Sequence, residues 1–94
     1  MVHFLVEPCK TEAAFEARPE QTLRLDIAAS ERVLAAAGFS IVANARVLLM
    51  VRREGCCDAS LFPSGRILLK TREKSMADRT LGLLVAALGL EAAA

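Results

Sequence analysis

The chain reads as a single α+β domain, with one antiparallel β-sheet and helices packed on one face of it. Three observations carry this reading. Ninety-four residues, 54% of them hydrophobic, suffice for one modest core. Apolar residues recur at helical spacing in two places, within 22–37 and again from 75 onward. Between those places, short strand-like runs are joined by turn signals too brief for crossover helices, so the strands run antiparallel.

Residues 2–6, VHFLV, predict a first strand that Glu7-Pro8 ends. Residues 9–21 are polar and mixed, with Pro19 as a breaker, and a short helical turn over 12–17 is expected there. The first helix is expected within 22–37, where Leu23, Ile27, Leu34 and Ala37 share one stripe. Thr22 or Asp26 caps its start, and Gly38 suits the left-handed position at its end. Residues 39–43 then form a short strand or entry segment, and 46–52, RVLLMVR, a strong strand. After a turn at Glu54-Gly55, strands at 57–62 and 66–71 enclose Pro63-Ser64-Gly65. Proline presets one turn dihedral, and glycine supplies a positive φ, so these three residues close a hairpin.

The last helix opens on Ser75 with Asp78 three residues on, a form of the capping box. Ala77, Leu81, Leu84, Val85 and Leu88 make its core stripe, and Gly89 ends it. Leu83, Ala87 and Leu90 widen the apolar face, so the helix is expected to pack against more than the sheet.

Charge and cysteine usage narrow the function. The formal net charge is +1, without the basic excess of a dedicated nucleic-acid binder. Arg66, Lys70, Arg72 and Lys74 form one local cluster, and Arg52 with Arg53 a smaller one; both read as solvated surface. Three cysteines, two of them adjacent, do not make a disulfide framework, and no secretory signal precedes them. A reducing, cytoplasmic setting is expected. The longest apolar run, 81–90, is half the roughly twenty residues that a membrane span needs. His3, Cys9, Cys56 and Cys57 are weak candidates for a zinc site, since adjacent cysteines chelate poorly. The simpler reading is small, partly buried hydrophobes and a surface histidine. Cys56 or Cys57 beside Arg52 and Arg53 is also a candidate low-pKa thiol, but no second histidine exists to act as a base. There is no glycine-rich phosphate loop and no recognisable carboxylate pair, so neither an enzyme nor a cofactor is expected.

The stretch 44–90 contains NARVLLMVRREG, then ASLFPSGRILLKT, then a helix opened by KSMAD. It resembles one repeat of the TATA-binding protein family. The upstream helix lies where such a repeat has its first helix, so the resemblance spans residues 22–90. Residues 1–21 are then an N-terminal strand and irregular segment of the same domain. That family joins two repeats into a saddle whose open sheet face enters the DNA minor groove, with phenylalanines wedged between base steps. The resemblance implies that Phe62 matches a wedge phenylalanine, Arg66 the basic residue after Ser-Gly, and Leu68 a groove-facing aliphatic residue. The chain departs from the pattern at Ala45, where the family has its second wedge, and at Lys70, where it has a groove-facing threonine. It also carries Asp58 on the face expected to be open. With one repeat only, a saddle needs two chains.

Strand alternation assigns the faces. If Phe62 points to the helix-free face, so do Asp58 and Ser60, then Arg66, Leu68 and Lys70, with Val47, Leu49 and Val51 expected beside them. Leu48, Met50, Leu61, Ile67 and Leu69 then face the helices. The open side would hold an apolar patch of the kind that marks an interaction site. Its cover would be the N-terminal segment with Phe4, Leu5 and Phe15, a second copy of the chain, or another partner. The reading is therefore an interaction module in which Val47, Leu49, Val51, Ser60, Phe62, Arg66, Leu68 and Lys70 serve a homodimer or a protein partner. The alternative is a dimeric nucleic-acid binder.

Overall fold

The computed structural model describes residues 3–10, 13–21 and 23–90. The strands Phe4–Pro8 (β1) and Phe15–Pro19 (β2) come first, followed by the helix Ile27–Ala36 (α1). Four strands follow, Ser40–Asn44 (β3), Leu49–Arg52 (β4), Asp58–Leu61 (β5) and Ile67–Lys70 (β6), then the helix Lys74–Leu88 (α2). The six strands form one sheet in the order β1-β2-β6-β5-β4-β3, antiparallel throughout. The expected α+β class with an antiparallel sheet is what forms.

β2 replaces the helical turn expected over 12–17. Phe15 and Ala17 alternate with Glu16 and Arg18, a period of two that suits a strand between two partners. β1 pairs along one side of it and β6 along the other, with Ala17 opposite both Val6 and Ile67. β1 lies two residues later than the expected 2–6 and ends on Pro8, which an edge strand tolerates. Val2, Glu12 and Thr22, which figured in those expectations, lie outside the described residues.

α1 begins at Ile27 because Asp26 caps it: its backbone is extended and its Oδ1 accepts the Ala29 N–H at 3.0 Å. Leu23 is thus not on the helix. It belongs to an extended lead-in, whose Leu25 N–H donates to the Pro63 carbonyl at 2.7 Å. α2 starts one residue before the expected cap. Glu73 occupies the N-cap without a side-chain bond, and Asp78 pairs with Lys74 one turn away rather than with Ser75. Gly89 closes α2 at φ 70°, as its position predicts.

The buried residues form one cluster. Leu34 of α1 and Ala77 and Leu84 of α2 meet Ala17, Leu49, Val51, Ala59, Leu61, Ile67 and Leu69 of the strands. α2 touches α1 as well as the sheet, and Ala87 packs against the core, but Leu83, expected to widen the packed face, is exposed. With both helices in this cluster, the alternate strand positions are left on the other side of the sheet.

Candidate functional site

Cross-strand pairing fixes what the helix-free face carries, and it corrects one strand of the expected set. Leu49 lies opposite Leu61 and Val51 opposite Ala59, while Met50 lies opposite Ser60. Leu49 and Val51 are therefore core residues, 0% and 1% exposed, and Met50 belongs to the open face. A register change of one residue moves a whole strand's side chains to the other face. Here the cause is the five-residue connection 53–57, which places Arg52 and Asp58 at matching ends of their strands. Val47 is not in a strand. It sits in the β3–β4 turn, closed by the Ala45 N–H on the Leu48 carbonyl at 2.9 Å, and is 68% exposed.

On β5 and β6 the expected parity holds. Ser60 pairs with Leu68 and Asp58 with Lys70. Met50, Ser60 and Leu68 thus form a row across β4, β5 and β6. Ser60 is flanked so closely by its two neighbours that it is only 3% exposed. Glu16 continues the row on β2 and Glu7 on β1. On β3 a bulge between Ile41 and Ala43 leaves Val42 exposed next to Met50's partner Ala43.

The arginines around this row are each paired with a carboxylate. Arg52 grips Asp58 with a two-pronged contact, Nε to Oδ1 at 3.0 Å and Nη2 to Oδ2 at 2.9 Å. That hydrogen bond holds the Asp58 carboxyl below its ordinary value, with Lys70 adding to the effect, and raises Arg52. Arg66 donates from Nε to Glu16 and lays its guanidinium 4.6 Å from the centre of the Phe62 ring. Arg18 reaches both Glu7 and Glu16 at 3.4 Å. The hairpin that holds Phe62 and Arg66 is built as its sequence predicts. Gly65 N–H bonds the Phe62 carbonyl at 2.9 Å, and Phe62 N–H bonds the Arg66 carbonyl at 2.9 Å.

Cys57 is tied to the last helix. Cys57 donates from its backbone N–H (3.1 Å) and its Sγ (3.3 Å) to the hydroxyl of buried Thr80, which itself donates to the Met76 carbonyl at 2.9 Å. This ties the β4–β5 connection to α2. Burial pushes the Cys57 thiol up, which is the opposite of what a candidate low-pKa thiol requires. Because the folded state favours the neutral thiol, that contribution to stability is present below the unfolded pKa and is lost as pH rises through the folded value. At about pH 8, iodoacetamide is therefore expected to alkylate Cys57 more slowly than a free cysteine. Tandem mass spectrometry of timed samples checks this, and equal rates would contradict it. His3, Cys9, Cys56 and Cys57 are not gathered into a metal set: among the described residues no three metal-ligating side chains cluster.

Sequence reasoning missed Met50, Glu7, Glu16 and Arg18 on this face. The signal for β2 was its two-residue alternation, masked by flanking proline. Among the described residues, no helix is long and apolar enough to cross a membrane. No family model, curated protein or solved structure matches the chain.

Proposed function

We propose that the protein is a non-enzymatic interaction module that pairs with a second copy of itself through the helix-free face of its sheet. The observation that carries this is the apolar row of Met50 and Leu68 around Ser60, bordered by guanidinium groups that are already paired with carboxylates. An apolar centre with a polar rim is the make-up of a protein interface. Arg18, Arg52, Arg66 and Lys70 face Glu7, Glu16 and Asp58, four cations against three carboxylates. A second copy therefore meets no strong repulsion, and the two-fold dimer is the commonest form of self-association.

Sedimentation equilibrium tests the pairing. Leu68→Lys places an ammonium in the row opposite Glu16, so the monomer tolerates it. Dissociation of the pair should become easier by at least about tenfold, since the buried ammonium loses its hydration. A wild-type protein that stays monomeric at high concentration would sink the reading.

A second reading rests on the resemblance of residues 22–90 to one TATA-binding protein repeat, a span that holds α1, β3, β4, β5, β6 and α2. It makes the paired faces a nucleic-acid saddle, with half-buried Phe62 at the hairpin as its wedge. A polyanion would have to draw Arg66 and Arg18 away from Glu16, which disfavours it. Titration with AT-rich duplex at two salt concentrations separates the readings: affinity that falls steeply with salt favours the saddle.

A further inference from the structure

At the end of the molecule away from Cys57, three segments border an open, shallow cleft of about 570 Å³. They are the lead-in and first turn of α1, the β3–β4 turn, and the tip of the β5–β6 hairpin. Leu25, Ile27, Ala28 and Pro63 give it an apolar lining, and Arg24 and Arg46 are the two basic residues that line it. The size falls in the range of small-molecule sites, as does the mixture of apolar lining with a few charged groups.

The two arginines differ from those on the sheet face. Arg18, Arg52 and Arg66 are each bound to a carboxylate, whereas the side chains of Arg24 and Arg46 have no hydrogen-bond or ion-pair partner among the described residues. The one carboxylate in the cleft, Asp26, is turned to the helix, where it accepts the Ala29 N–H. The cleft's lining thus carries two positive charges against one negative. Arg46 is also the one non-glycine among the described residues with a positive φ, 67°. Its N–H is held by Asn44 Oδ1 at 3.0 Å, and Asn44 is itself anchored by Nδ2 to Glu31 of α1 at 2.9 Å. Leu25 N–H on the Pro63 carbonyl fastens the opposite wall. The walls are therefore fixed by bonds that leave both guanidinium groups unused.

We propose that this cleft binds a small organic oxyanion, a carboxylate or a phosphate group carried on an apolar body. The forked donors of Arg24 and Arg46 would take the oxyanion, and the apolar lining its body. The site is separate from the sheet face, so it stands or falls independently of the pairing described above.

The isotope-labelled 94-residue chain, titrated with phenyl phosphate and with benzoate, tests the proposal. Inorganic phosphate and benzyl alcohol supply the head and the body alone. Saturable amide shifts are expected at residues 24–28 and 44–46. At least one of the two aromatic anions should bind about tenfold or more tightly than either fragment. Which anion binds better identifies the head group. Arg46→Gly removes the guanidinium while keeping the backbone conformation, which glycine adopts freely. It should keep the fold and weaken binding by about tenfold or more, the loss of a charged hydrogen bond, and Arg24→Gln should do the same. Absence of saturable shifts at these residues with both anions, or affinity unchanged in both variants, would overturn the proposal.

Discussion

Replacing Leu49 by alanine is expected to lower the free energy of unfolding by about 3 kcal/mol, the typical cost of a cavity in a closed core. Leu49 is fully buried between β3 and β5, opposite Asn44 and Leu61, and packs within the cluster that both helices share. Met50, one residue on, is half-buried on the other face, so Met50→Ala should cost about 1 kcal/mol or less. Urea denaturation followed by circular dichroism measures both, since the chain has neither tryptophan nor tyrosine. Both variants should be compared at one low protein concentration, because association stabilises by mass action. A larger loss for Met50→Ala than for Leu49→Ala would mean that β4 is turned over, and the open face described here would be wrong.

Gly65→Ala should be about as costly, roughly 3 kcal/mol, for two reasons that add. Gly65 has φ 91°, which a residue with a Cβ resists, and the added Cβ would lie 3.0 Å from both Cβ and Cδ1 of Leu23. Pro19 Cγ is 3.1 Å away on another side. Leu23 cannot retreat freely, because its Cβ is fixed by the backbone that Leu25 docks on Pro63. Gly55 is the control. It too has a positive φ, 82°, but nothing lies within 4 Å of its added Cβ, so Gly55→Ala should cost only about 1 kcal/mol. Equal losses at the two positions would show that the hairpin does not press on the lead-in to α1.

Which parts of this structure were legible in the sequence follows from the range of the interactions involved. The β5–β6 hairpin was readable because Pro63, Ser64 and Gly65 fix it locally, and its parity carried Ser60, Leu68 and Lys70 to the correct face. α2 was readable from its spacing, and Gly89 from its single conformational role. β4 was misassigned because RVLLMVR is apolar at both parities, so alternation within it decides nothing. The deciding signal lay outside the strand, in the connection that sets Arg52 level with Asp58 and lets them bond. β2 was missed because its hydrogen bonds come from β6, some fifty residues away, and from β1, and propensity within 12–19 could not show them. The charge pattern of the face depended on β2 in turn. Glu16 reaches Arg66 and Arg18 only once that strand is in place, so Arg66, which reads as a free cation in the sequence cluster, is in fact paired.

The most direct measurement for the central claim is a dilution series of isotope-labelled protein followed by backbone amide shifts. The proposed pairing predicts concentration-dependent shifts at residues 41–43, 50–52, 58–60 and 66–70, with the amides of α1 and α2 unmoved. Shifts confined to the helices, or none at any concentration, would contradict the sheet face as the place where two copies meet.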